Sequence, residues 1–259
     1  MNDPQPLAVA AAYRFVDLPD CASLRDRLWA SAQGAALKGT LLLAGEGINF
    51  TLAGPSAALQ GWLDALQRDP RFAALELKQH RVRTLPFKRL KVRLKPEIIR
   101  MNERGVRPQA RRAPAVDAAT LARWLAQGHC DEGRTVVMLD TRNGFEVDAG
   151  AFVGALEWRL GSFSDFPSAL QAHRGELEGK TVVSYCTGGI RCEKAALWMQ
   201  QAGVANVRQL DGGILRYFEV AHGAPHWRGR CFVFDERVAL DASPRGQPGT
   251  SARWDSSGG

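Results

Sequence analysis

The stretch "SYCTGGIRCEKA", residues 184 to 195, sets a cysteine between an apolar run ending in Val182 and Val183 and a helix-forming run from Glu193 to Gln201. Cys186 then stands where a buried strand hands over to a helix, and the loop Thr187, Gly188, Gly189, Ile190, Arg191 and Cys192 wraps around its sulfur. Two glycines permit the backbone angles by which successive amides point inward. Inward amides and a helix start expected at Glu193 both favour negative charge, which lowers a thiol pKa and holds a thiolate or persulfide anion. Arg191, five residues after Cys186, adds a full positive charge. Free cysteine is also a common core residue, but core packing needs neither Thr-Gly-Gly beside the sulfur nor an arginine closing the loop. Cys186 is the candidate nucleophile. Cys192 either packs quietly, the simpler reading, or traps an oxidised or persulfidated Cys186 as a resolving thiol.

The remaining cysteines, Cys21, Cys130 and Cys231, are scattered and have no assigned role. An odd count in a chain of 259 residues argues against a disulfide framework, and no CxxC or Cys/His cluster suggests zinc. No window resembles a membrane span or a signal peptide, so no membrane partner is expected and the cytoplasm is the expected address.

Charge is concentrated. Residues 78 to 112 carry 13 Lys/Arg against 2 Glu, a net +11 in a chain of net +7, which leaves −4 elsewhere. Within this segment "FKRLKVRLKPE" alternates Leu90, Val92 and Leu94 with Lys91, Arg93 and Lys95, the period of a strand with one buried face. The cations then share the other face and, with Lys88 and Arg89, suit a polyanion backbone. The competing explanation is a solvated edge strand protected by its lysines.

These residues need elements to hold them. Residues 7 to 18 read as a strand, followed by a helix that Asp20 caps; "LKGTLLLAGEGINFTLAG" reads as two strands joined by a turn at Gly45 and Gly47. Pro55 opens a second helix, and strands follow near 72 to 81 and 89 to 95. That order predicts a split βαβ, ferredoxin-like α+β domain over 1–95. Residues 96–114, rich in charge with three prolines, read as a basic linker. From 115 to 222, helices alternate with strands "TVVMLDTR", "GAFVGALEW", "KTVVSYC" and "VRQLDGGI", whose apolar runs predict a mainly parallel sheet. Ligands of such sheets gather at the carboxyl ends of the strands, where Cys186 falls. A C-terminal extension covers 223–242, and the Gly/Ser/Pro-rich 243–259 reads as a disordered tail. The fold class is α/β, a parallel-sheet domain preceded by the small α+β domain.

A cysteine heading a short loop closed by arginine resembles the rhodanese domain. "LDTRNGFE" (139 to 146), "GAFVGA" and "LDGGI" are similar to its Asp-x-Arg-x-x-x-Glu, Gly-x-Ile-x-Gly-Ala and double-glycine stretches. With "GEGIN" (45 to 49), "FKRLKVRLKPEII" and "GRCFVFDERVAL" (229 to 240), nearly the whole chain resembles the bacterial tRNA uridine(34) hydroxylase family. The resemblance implies oxygen-dependent formation of 5-hydroxyuridine at the tRNA wobble position, with Cys186 as the essential cysteine and the anticodon loop as partner. Asp140 and Arg142 match the rhodanese charged pair, favoured here as loop support. "GEGIN" either lines an RNA-facing surface or is turn chemistry alone. Phe50, after "GEGIN", stands where relatives carry a small residue, and the cysteines that longer relatives carry after "CFVFDER" are missing, which argues against a C-terminal metal site.

Molecular oxygen is the expected co-substrate. No metal or organic cofactor is evident, since neither a flavin fingerprint nor a two-His-one-carboxylate set appears among the five histidines. Trp158, Phe163 and Phe166 are candidates to stack on splayed bases, although each also fits core packing. The alternative function is a sulfurtransferase in which Cys186 takes sulfur from a donor and passes it to a thiol or to tRNA. A cysteine phosphatase fits less well, because its arginine comes one residue later. The motifs are silent on oligomeric state.

Overall fold

The computed structural model describes residues 5–103, 105–233 and 239–240. The expected tail, 243–259, and the "FDER" stretch lie outside the described residues.

Strand β1 (Leu7–Phe15) alternates strictly: Ala8, Ala10 and Ala12 enter a core, while Val9, Ala11 and Tyr13 face the other way. It is followed by α1 (Cys21–Gly34), β2 (Lys38–Ala44), β3 (Gly47–Pro55), α2 (Ser56–Gln67), β4 (Lys78–Val82) and β5 (Leu90–Leu94). The sheet order is β4-β1-β3-β2-β5, antiparallel except for the β2–β5 pair. The first four strands have the expected split βαβ arrangement. Leu24 and Leu28 of α1 and Leu59, Trp62, Leu63 and Leu66 of α2 bury one sheet face. Among the described residues no helix of this domain covers the opposite face.

Several local expectations are corrected. Asp20 occupies the α1 N-cap position but makes no capping bond; its carboxylate is drawn to Arg71 and Arg27 instead. Residues 72–77 are not strand, and Phe72 is buried in the core there. Leu90 and Val92 pack on the core as predicted, but Leu94 is 46% exposed because β5 is an edge strand and the core cluster stops short of it.

The second domain runs through β6 (Ala115–Val116), α3 (Ala118–Gln127), β7 (Val136–Asp140), α4 (Gly144–Ala149), β8 (Gly150–Phe152), β9 (Leu156–Glu157), α5 (Phe166–His173), β10 (Thr181–Tyr185), α6 (Ile190–Gln201), β11 (Val207–Leu210) and α7 (Gly213–Val220). Its sheet, ordered β6-β11-β10-β7-β9, is wholly parallel, and every residue of the central β10 is buried. Helices α5 and α6 cover one face, α3 and α7 the other. "GAFVGALEW", expected as one strand, splits at Gly154: β9 joins the main sheet, whereas β8 pairs with β12 (Trp227–Gly229). The short strands β13 (Cys231–Phe232) and β14 (Ala239–Leu240) pair with each other.

The described residues of 96–114 contain no regular element, but they are not a free linker. Ile98, Met101, Val106 and Ala113 are buried, the last three within the core of the second domain. One cation organises the seam. Lys194 Nζ, on α6, donates to Glu46 at 2.9 Å, to Glu97 at 2.6 Å and to the Ile99 carbonyl at 3.0 Å. Glu46 also accepts the Ile98 amide, and Glu97 those of Met101 and Asn102. "GEGIN" is therefore an interdomain contact, and Gly47 is required because a Cβ there would meet the Arg14 carbonyl.

Lys194→Met leaves two carboxylates without their cation and is expected to cost about 3 kcal/mol in urea unfolding. Burial acts to raise the Glu97 pKa, but the Lys194 hydrogen bond and the two amides outweigh it, so the group sits below its usual value. A lowered carboxyl contributes stability above its unfolded pKa, about 4.3, and loses it as pH falls through the folded value. Glu97→Gln should therefore flatten the acid limb of stability against pH below that point, measured by thermal melts across pH.

Candidate active site

Cys186 follows the last residue of β10, at the carboxyl end of the central parallel strand. Helix α6 begins at Ile190, three residues earlier than expected, with Gly189 as a left-handed N-cap at φ +105°. Arg191 and Cys192 thus belong to the first helical turn. The Gly189 amide donates to Cys186 Sγ at 3.1 Å, and Cys192 Sγ lies 4.0 Å from Cys186 Sγ and 3.0 Å from the Gly189 carbonyl.

Burial opposes ionisation of Cys186, but the Cys192 thiol, the Arg191 charge and the Gly189 amide outweigh it and hold its pKa well below the ordinary thiol value. Cys192 moves the other way, raised by burial and then by the hydrogen bond and charge of Cys186. The two thiols are pushed in opposite directions, Cys186 toward the thiolate and Cys192 toward the protonated thiol. Cys231 is buried, which pushes its thiol up to about 12.

Arg191 does not reach the loop as an isolated charge. Its guanidinium is clamped by both oxygens of the buried Glu146, at 2.5 and 2.7 Å. Glu146 also accepts the Asn143 amide and, at 3.4 Å, the Thr187 hydroxyl. Behind it Arg142 and Asp140 form a fully buried bidentate pair, and Arg142 donates further to the Gly150 and Glu146 carbonyls. The side chains of Asp140 and Arg142 bond to each other and to the Glu146 and Gly150 carbonyls, and so hold the floor under Glu146. The double glycine closes the loop from α7: Ile214 and Leu215 amides donate to the Cys186 and Thr187 carbonyls. Gly213 sits at φ +67°, and a Cβ there would fall 2.5 Å from the Cys186 carbonyl oxygen.

The first domain completes the site. Its open sheet face and the Cys186 loop enclose a cleft of about 790 Å³, lined among others by Tyr13, Asn49, Thr51, Lys78, Phe163 and Cys186. Lys78 Nζ donates to the Gly188 carbonyl and, at 2.6 Å, to that of Gly212. The Tyr13 hydroxyl donates to Glu193 at 2.9 Å and packs where a Gly189 Cβ would stand. Burial raises the Glu193 pKa against the opposing pull of Arg112 and Tyr13.

The structure gathers Cys186, Thr187, Gly188, Gly189, Ile190, Arg191 and Cys192 at one point, with Asp140 and Arg142 beneath. It does not bring Lys88, Arg89, Lys91, Arg93 and Lys95 to the sulfur, since β5 is the sheet edge opposite β4. Lys91 and Arg93 nevertheless pair in register with Thr40 and Leu42, which line the cleft, so they continue its face. Of the aromatic candidates, Phe166 is core and Trp158 stacks on Phe166 and His173; Phe163 is buried but lines the cleft. Among the described residues no three His, Cys, Asp or Glu side chains gather as a metal would need.

Sequence reasoning passed over Glu146, although it closes the quoted "LDTRNGFE". It also missed Tyr13, Lys78, Arg112 and Glu193. Lys78 lay at the head of the basic segment, yet nothing in the local pattern sets it apart from the other cations there.

The UPF0176 acylphosphatase-like domain matches residues 7–98, and the rhodanese-like domain matches 118–219. The chain is 58% identical over 231 residues to a tRNA uridine(34) hydroxylase of Bordetella avium, covering 89% of this chain and 95% of that one. A protein of the same name from Delftia acidovorans is 58% identical over 232 residues, covering 90% and 88%. Among solved structures, the human single-domain sulfurtransferase TSTD1 is 27% identical, with a TM-score of 0.35 over 42% of this chain and 97% of that one.

Glu146→Gln removes the carboxylate that clamps the buried Arg191 guanidinium and is expected to lower unfolding stability by about 3 kcal/mol, measured by urea titration.

Proposed function

The chain belongs to the tRNA uridine(34) hydroxylase family, and from that premise we propose that it hydroxylates the wobble uridine of tRNA at carbon 5 with Cys186 as the reacting group. The supporting observation is the cleft: a loop built to hold a sulfur anion lies at the junction of two domains, and the second wall continues onto a row of cations. Lys91, Arg93 and Lys95, with Lys88 and Arg89 before them, take the phosphate backbone, and an anticodon-loop base splays into the cleft. Single-stranded loop bases are the ones RNA makes available for such insertion.

Cys186 has no exposed surface. A base therefore reaches its sulfur only after the cleft adjusts, which couples reaction to binding of the correct substrate. Molecular oxygen is the proposed source of the hydroxyl. One of its atoms enters the ring, and the other leaves as water with two electrons and two protons from a reductant. The sulfur of Cys186, as thiolate or persulfide, either attacks the uracil ring or reduces oxygen. Sulfur transfer from the same loop is the alternative chemistry; the relatives' shared name does not favour it, and a small anionic donor does not require a cationic sheet face beside the cleft.

The test is mass analysis of tRNA nucleosides from cells lacking the protein, rescued with wild type or Cys186→Ala. 5-Hydroxyuridine returns with the wild type and stays absent with the variant; its persistence without the protein overturns the assigned reaction. Replacing Lys91, Arg93 and Lys95 together by alanine is expected to weaken tRNA binding and to reduce the slope of log affinity against log salt by about 2. An unchanged slope returns that strand to a solvated edge.

A further inference from the structure

The Gly188–Gly189 peptide carries two contacts, one at each end. Its carbonyl oxygen accepts from Lys78 Nζ, and its N–H, on Gly189, donates to Cys186 Sγ at 3.1 Å. A peptide unit is planar and rigid, so whatever holds the oxygen outward holds the N–H inward. The unit lies between two glycines, the residues whose backbone turns most freely. A flip of this unit points a carbonyl at the sulfur in place of an amide. Nothing in the side chains of residues 188 and 189 prevents that flip, because they have none.

The restraint comes from the other domain. Lys78 stands on β4, 110 residues before Gly188, and is fixed by its second bond to the Gly212 carbonyl in the double-glycine turn. A cation on the oxygen also polarises the peptide and strengthens the hydrogen bond at its N–H end. We infer that Lys78 is a positioning residue for Cys186: its ammonium locks the Gly188–Gly189 peptide with the N–H on the sulfur, so the first domain helps stabilise the anion carried by the second. This rests on Cys186 working as an anion, as proposed above, and adds that part of its environment is supplied by the neighbouring domain of the same chain. Among the described residues the rhodanese-like domain by itself has the loop, the arginine and the double glycine, and the hydrogen bond to the Gly188 oxygen comes from Lys78 of the first domain.

The charged and titratable groups facing Cys186 are Cys192 and Arg191 on α6, with Glu146 of α4 behind Arg191, Tyr13 on β1 and Lys78 on β4. Those facing Lys78 are the two cysteines, Glu76 and Glu219; burial lowers its pKa and these four groups act to raise it.

The experiment uses the full chain. Ultraviolet thiolate absorbance is followed against pH in wild type, Lys78→Met, Lys78→Gln and Lys78→Arg, with the Cys186→Ala counterpart of each subtracted. At a pH below the wild-type midpoint the Met and Gln variants are expected to hold about tenfold less Cys186 thiolate, one pKa unit, while Arg keeps most of it. A purely structural role for Lys78 lowers the melting temperature without moving this midpoint. An unmoved midpoint in either folded variant overturns the inference, and so does an Arg variant shifted as far as Met. Should the variants not fold, the wild type still decides: the Lys78 Nζ resonance must change on Cys186→Ala, and an indifferent resonance overturns the inference. A wild-type Cys186 that stays protonated through neutral pH overturns the anion itself, and is seen before any Lys78 variant is made.

Discussion

A buried sulfur, Cys186, placed where negative charge is favoured, is the constraint on which the rest of the structure depends. Water cannot stabilise an anion there, so fixed dipoles and charges must, and they must not move when it forms. The Gly189 amide, the Cys192 thiol and the Arg191 guanidinium surround Cys186 for that purpose. Each is held in turn. Arg191 is clamped by Glu146, Glu146 rests above the Asp140–Arg142 pair, and the loop carbonyls that would repel the anion are occupied by amides of α7.

Buried ion pairs of this kind are weak contributors to stability relative to apolar packing, because desolvation offsets much of their attraction. Their presence in the floor of the site is therefore better explained by orientation than by stability. Arg142 spends its donors on Asp140 and on two carbonyls that shape the α4–β8 corner, and that corner places Glu146. The charged layers point toward the cysteine rather than toward the surface.

The two domains share the site instead of adjoining it. Lys194 ties α6 to Glu46 and Glu97, and Tyr13 and Lys78 reach from the open sheet face onto Glu193 and the loop. Motifs that stand far apart in the chain, "GEGIN", "KPEII" and "CEKA", are the two sides of one contact. The stretch between the domains is packed for the same reason: its buried Met101 and Val106 belong to the second core. A sheet face left bare of helices by the first domain becomes a wall of the cleft.

The sequence by itself determined most of the elements and singled out Cys186 as the candidate sulfur. Strand alternation, helix periodicity and the Thr-Gly-Gly-x-Arg loop are local patterns, each set within about ten residues by backbone sterics and side-chain period. Asp140, Arg142 and Cys186 were legible because they stand at strand ends in recognisable spacing. Errors clustered where a local signal met a remote partner: Asp20 lost its capping role to Arg71, the helix start moved to Ile190, and a charged linker became packed core. Only the tertiary structure decided which charges act on the sulfur. The Lys78–Gly188 and Lys194–Glu46 contacts span more than 100 residues, and Lys78 resembles its basic neighbours until the sheet order puts β4, not β5, against the loop. Charge type is written in the sequence; which charge faces which peptide follows from strand order and from the docking of one domain on the other.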